Sequence, residues 1–124
     1  MAAFKGIVVD SLHPAKLARF WAAVLDGYAV RAYDDAEIAR LAALGFTPET
    51  DPSVMVDGPG PTLCFHIKAG RATVRGRLHL DTTTTDRATE TTRLMALDAV
   101  VRDAHDTYTV MLDPEGNAFC VFDT

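Results

Sequence analysis

One stretch of this sequence occurs twice. Ser53-Val54-Met55-Val56-Asp57-Gly58-Pro59-Gly60-Pro61-Thr62-Leu63-Cys64-Phe65 and Thr109-Val110-Met111-Leu112-Asp113-Pro114-Glu115-Gly116-Asn117-Ala118-Phe119-Cys120-Val121 share V-M-[VL]-D, a Gly three places on and a Cys four beyond it. Each copy reads as strand, tight turn, strand. A hairpin can bury its apolar face only against something else, so two related hairpins point to two related modules.

The residues before each hairpin fit that division. Phe4 to Asp10 is rich in β-branched residues and predicts a strand. Ser11 to His13 can cap a helix with Pro14 in its first turn, where a missing N–H costs nothing. Leu17, Phe20, Trp21, Val24 and Leu25 then give one apolar helical stripe ended by Gly27, and these rings belong to the core. Tyr28 to Tyr33 predicts a second strand. Asp34 to Leu44 predicts a second helix, with Asp34 and Glu37 resembling a capping box, Ile38, Leu41 and Ala42 as its stripe, and Gly45 as its stop.

After the first hairpin, Ala69 to Gly76 reads as a polar linker. Arg77 to Thr82 alternates as a half-buried strand, and Asp86 caps a helix through Leu97 whose firmest contacts are Leu94 and Met95. Ala99 to Ala104 is a short strand before the second hairpin. Leu25-Asp26 answers to Leu97-Asp98, and Cys64 to Cys120. The second interval is shorter by about the length of Asp34 to Gly45 and part of its loop. The fold class is therefore α+β. Two βαβββ modules make one domain over residues 1–124: the first spans 1–68 with an inserted helix at 34–45, the second 77–124.

Composition excludes several classes. At 124 residues, 48% hydrophobic and 23% charged, the chain can bury a core without staples. The net charge of −5 and scattered basic residues argue against nucleic acid; Lys68, Arg71, Arg75 and Arg77 read as a solvated loop. No apolar run is long enough to span a membrane, and the N-terminus lacks a signal-peptide core, so a cytoplasmic protein with two thiols is expected. Serine-nucleophile, P-loop, dinucleotide and C-x-x-C motifs do not occur.

The segments His13-Pro14-Ala15-Lys16-Leu17-Ala18-Arg19-Phe20-Trp21, Arg77-Leu78-His79-Leu80-Asp81 and Asp113-Pro114-Glu115-Gly116-Asn117-Ala118-Phe119-Cys120 resemble the vicinal oxygen chelate superfamily. The likeness is closest to its glyoxalase-like branch, which takes in glyoxalase I, bleomycin resistance proteins and extradiol dioxygenases. It covers essentially the whole chain. It implies that the modules form a curved mixed β-sheet cup with helices outside, and that the protein is a homodimer. Metal-dependent members place His and Glu ligands at positions that fall here on Gly6, Cys64, His79 and Cys120, and only His79 matches.

Strand parity supports those positions. Leu63, Phe65 and Ile67 oppose Thr62, Cys64 and His66, while Phe119 and Val121 oppose Ala118, Cys120 and Phe122. With the more apolar faces against the helices, Cys64, His79 and Cys120 face the concave side. His79 is the candidate catalytic residue, or a hydrogen-bonded pocket histidine. Cys64, Cys120 and His79 could form a Cys₂His zinc-type site, or the cysteines could be small buried groups. Asp10, His66 and Asp81 share the face by parity and, with His79, could supply acid–base or orienting groups, or lie solvated at the rim. Met55 and Met111, equated by the repeat, line the cup or pack in the core. Tyr108 and Phe122 offer aromatic walls, and His105 lies exposed in a turn. Gly60 and Gly116 are expected at positive φ.

Three readings follow. In the first, the chain binds a small aromatic or carbonyl-bearing molecule, with no metal required. In the second it is a lyase, isomerase or oxygenase using His79, with or without a divalent metal. In the third the cup is closed by side chains and the chain is an interaction module. Glyoxalase I activity itself is not expected, because Cys₂His is not the hard, oxygen-rich site that enediolate chemistry uses.

Overall fold

A computed structural model describes Met1, residues 6–67 and residues 80–124. The chain divides into two compact units, Met1–Arg71 and Ala72–Thr124. Each carries strand, helix, strand, strand, strand, with one helix inserted between the second and third strands of the first, so the α+β class and the two βαβββ modules of the sequence are present.

In the first unit β1 (Gly6–Ser11) leads to α1 (Pro14–Val24), β2 (Ala29–Val30), α2 (Asp35–Ala43), β3 (Ser53–Asp57) and β4 (Thr62–Ile67). The strand order is β1-β4-β3-β2, with β1 parallel to β4 and the other pairs antiparallel. Pro14 begins α1 as expected. The side chain of His13 does not cap that helix; its backbone N–H donates instead to Ser11 Oγ at 3.1 Å. Leu17, Ala18, Phe20 and Trp21 are buried, and Phe20 meets Trp21 edge to face at 5.3 Å. α1 packs on β2, β3 and β4, where Val54, Val56, Leu63 and Phe65 are the buried residues. Each such side chain contributes roughly 1.5–3 kcal/mol by leaving water.

The expected strand at Tyr28 to Tyr33 shrinks to two residues. Arg31 N–H still bonds Met55 O, and the chain then leaves the sheet for the Asp34 cap. That cap accepts from Glu37 N–H at 2.8 Å, but the Glu37 carboxylate grips Arg40 instead of closing the box. Of the expected stripe on α2, Leu41 is buried while Ile38 remains exposed.

The second unit runs β5 (Leu80–Thr84), α3 (Arg87–Ala96), β6 (Val100–Ala104), β7 (Tyr108–Leu112) and β8 (Ala118–Asp123), with order β5-β8-β7-β6 and β5 parallel to β8. β5 extends past Thr82 through β-branched Thr83 and Thr84; Arg77, Leu78 and His79 lie outside the described residues. Asp86 caps α3 by accepting from Thr89 N–H at 3.1 Å. Leu94 is its buried contact, whereas Met95 is about half exposed, contrary to expectation. Asp98 ends α3 at φ 74°, a conformation Asp tolerates better than most residues.

The two hairpins are not equivalent. In the first, Met55 lies opposite Cys64; in the second, Cys120 lies opposite Val110 and Met111 opposite Phe119. The turns cause this. In the second, the buried Asp113 carboxylate accepts from Glu115 N–H, Asn117 N–H and the Asn117 amide, holding a five-residue turn from Asp113 to Asn117. A one-residue change of register sends a side chain to the opposite face. Gly116 has the expected positive φ, but Gly60 does not. A Cβ on Gly60 would stand 2.6 Å from the hydroxyl of Tyr28, which crosses this turn and donates to Pro61 O.

Among the described residues, no helix is long and apolar enough to cross a membrane.

Candidate functional site

Residues paired across strands share a face. In the first unit the rows Val8, Cys64 and Met55, and Asp10, His66 and Ser53, lie on the face away from the buried Val54, Val56, Leu63 and Phe65. The structure thus brings together four expected site residues: Asp10, Met55, Cys64 and His66. Cys64 and Met55 are half-buried and His66 is exposed.

A hydrogen-bonded chain crosses this face. Ser53 Oγ lies 3.4 Å from Cys64 Sγ and 3.1 Å from His66 Nδ1. The hydroxyl can donate to one and accept from the other, so it links thiol to imidazole. Next to it, an open cavity of roughly 540 Å³ is bounded by the loop from Arg31 to Asp34, by α2, and by Asp51, Ser53 and Met55.

The electrostatics of this cavity are nearly balanced. Arg31 makes a two-point contact with Asp57 at 2.7 and 2.9 Å, which holds the Asp57 carboxyl below its ordinary range. Arg40 is paired with Glu37. Asp51 is a buried carboxylate, satisfied by the Tyr33 hydroxyl at 2.7 Å and by Ser53 N–H at 3.0 Å. Burial first, then this bond to Asp51, pushes the Tyr33 phenol well above its ordinary value, so it remains a protonated donor.

In the second unit Asp81, Cys120, Tyr108 and Phe122 share a face. His105, Tyr108 and Phe122 form a stack, with centroids 4.5 and 5.1 Å apart. Met111 does not join them: it is fully buried on the opposite face, with Phe119 and Val121. The symmetry between Met55 and Met111 read from the repeat is corrected by the register. Cys120 is buried, and that burial, with Asp81 nearby and Arg102 only partly offsetting it, pushes its thiol pKa up.

The family's metal can be tested against these positions. A Cβ on Gly6 would lie 2.5 Å from Thr62 O, so the backbone approach there excludes a ligating side chain. Burial and the nearby Asp81 push the Cys120 thiol pKa up, so it gives up its proton for ligation less readily than an ordinary thiol. His79 lies outside the described residues. Among the described residues, no group of three or more His, Cys, Asp or Glu is arranged to hold a metal ion. Gly6, Cys64 and Cys120 do not supply the His and Glu set of the metal-dependent members.

Arg31, Tyr33, Asp51 and Ser53 were not singled out by the sequence. Asp51-Pro52-Ser53 is a readable signal, because Asp commonly bonds the N–H two residues on. The Tyr33–Asp51 bond spans the inserted helix and has no local signature.

The family model for the glyoxalase-like domain matches residues 6–122. The chain belongs to the glyoxalase-like family. This places the glyoxalase-like domain in the vicinal oxygen chelate superfamily, as its motifs implied. No curated protein matches its sequence. Solved structures similar to this domain include a glyoxalase/bleomycin resistance protein/dioxygenase family enzyme from Burkholderia phytofirmans PsJN. It is 12% identical, with TM-score 0.70 and 98% of each chain covered. Lactoylglutathione lyase from Agrobacterium tumefaciens is 14% identical at TM-score 0.59, covering 99% of this chain and 94% of that one. The fosfomycin resistance protein FosX from Listeria monocytogenes is 10% identical at TM-score 0.65, covering 98% and 90%. At these identities the likeness is one of fold.

Proposed function

We propose that this glyoxalase-like domain binds a small, uncharged, carbonyl-bearing organic molecule against the far face of its first module, without the family's metal quartet. The cavity beside Ser53 and Met55 carries the reading. Its volume of roughly 540 Å³ falls within the ~300–1,000 Å³ usual for small-molecule sites. Its charged lining comprises two arginines, Arg31 and Arg40, against three carboxylates, Asp34, Glu37 and Asp51. Arg31 and Arg40 are each already paired, so an anionic ligand gains little there. A neutral carbonyl can still accept from a guanidinium edge while Met55 packs against its apolar part. Thermal denaturation with a panel of small aromatic ketones tests this. Wild type gains stability with at least one ketone, and Met55→Arg, which fills the cavity with charge, gains none. Equal gains in both, or none in wild type, contradict the proposal.

A second reading is an enzyme acting through His79. The similar structures named lactoylglutathione lyase and FosX favour it by analogy of fold alone. A stoichiometric metal in the purified protein that is lost in His79→Ala would favour its metal-dependent form.

A further inference from the structure

We propose that Cys64 is a nucleophile served by His66 through Ser53, and that it takes up α,β-unsaturated carbonyl compounds as thioether adducts. This rests on the ligand reading above and adds a reaction to it. Three observations carry it. Cys64, Ser53 and His66 form one continuous chain, with contacts of 3.4 and 3.1 Å. Ser53 and Met55, which also line the cavity, adjoin Cys64: one by that contact, the other as its cross-strand partner. Cys64 is half-buried, whereas Cys120 is buried, so the two thiols differ in access.

The two ways of placing hydrogens along the chain are the two ends of one proton transfer. In the first, the Cys64 thiol donates to Ser53 and Ser53 donates to His66 Nδ1. In the second, His66 donates to Ser53 and Ser53 donates to a Cys64 thiolate. Moving between them makes the nucleophile while placing the positive charge on the imidazole. The sulfur lone pair then forms a C–S bond at the β-carbon of the acceptor, and the π pair moves onto the carbonyl oxygen as an enolate. His66 returns the proton along the same chain, or through water, to the α-carbon. No group leaves, and nothing is oxidised or reduced overall.

Two ketones separate this step from binding. Benzylideneacetone carries the reactive alkene, and benzylacetone is its saturated counterpart. The full chain treated with benzylideneacetone gains one adduct by intact mass, mapped to Cys64 and not to Cys120. Ser53→Ala and His66→Asn, checked as folded by circular dichroism, form it about tenfold more slowly or worse. Cys64→Ala forms no adduct. Unchanged rates in both relay variants overturn the proposal, as does a Cys64 no faster than a linear peptide of residues 60–68. Loss of benzylacetone stabilisation in wild type overturns the ligand reading instead, and with it the cavity's part in the reaction.

Discussion

The Tyr33 hydroxyl donates to the Asp51 carboxylate at 2.7 Å, tying the chain entering α2 to the residue that leads into β3. Tyr33 and Asp51 border the cavity together with Ser53, whose N–H Asp51 also accepts. The inserted helix, which is what distinguishes the first module from the second, is thereby fastened beside the proposed ligand site.

Tyr33→Phe removes one of two donors from a buried carboxylate. A bond of this kind to a charged group is worth about 1.5–3 kcal/mol, and urea denaturation of the variant is expected to show a loss of that order. The pH dependence has a definite sign. The folded Tyr33 pKa is raised above the ordinary 10.0, so its stabilisation is complete below pH 10.0 and is lost as pH rises toward the folded value. Wild type therefore loses stability above about pH 10 by a component that Tyr33→Phe lacks.

The hairpin registers make two similar methionines unequal. Met111 is fully buried opposite Phe119, and Met111→Ala leaves a cavity costing about 2–5 kcal/mol. Met55 is only half-buried, so Met55→Ala costs clearly less while weakening ketone binding. Equal losses in chemical denaturation would mean that the two hairpins share one register.

Gly6→Ala places a methyl group against Thr62 O, at the first rung of the parallel β1–β4 pair. Backbone cannot swing away as a flexible side chain can, so the expected result is a loss of about 1–3 kcal/mol, with strain of the kind that overpacking produces. A Gly6→Ala protein as stable as wild type would remove the objection to a ligand at this position.

Metal content separates the metal-free ligand reading from a metal-dependent enzyme. Purified protein is expected to carry no stoichiometric transition metal by elemental analysis, and dialysis against chelator should leave its ketone-induced stabilisation unchanged. A stoichiometric metal that is lost in His79→Ala would favour the enzyme.

Much of this structure could be read from the sequence because local chemistry dictated it. Pro14, the stripe of Leu17, Phe20 and Trp21, the Asp34 cap and the Asp113-Pro114-Glu115-Gly116-Asn117 turn each act within a few residues of chain. The candidate site was less legible. Alternation placed Cys64 and His66 on one face, but their link through Ser53 depends on the β3–β4 register. The repeat made Met55 and Met111 look equivalent because both precede a cysteine by the same interval. Turn geometry, fixed by the Asp113 side chain, overrode that interval. His79, the residue the resemblance favoured most, lies outside the described residues.

Ketone binding at the first module is tested most directly by an amide NMR titration of the protein with benzylacetone. Saturable shifts are expected, concentrated at Arg31, Tyr33, Ser53 and Met55 and fading in Met55→Arg. Shifts confined to other residues, or none at millimolar ketone, would contradict it.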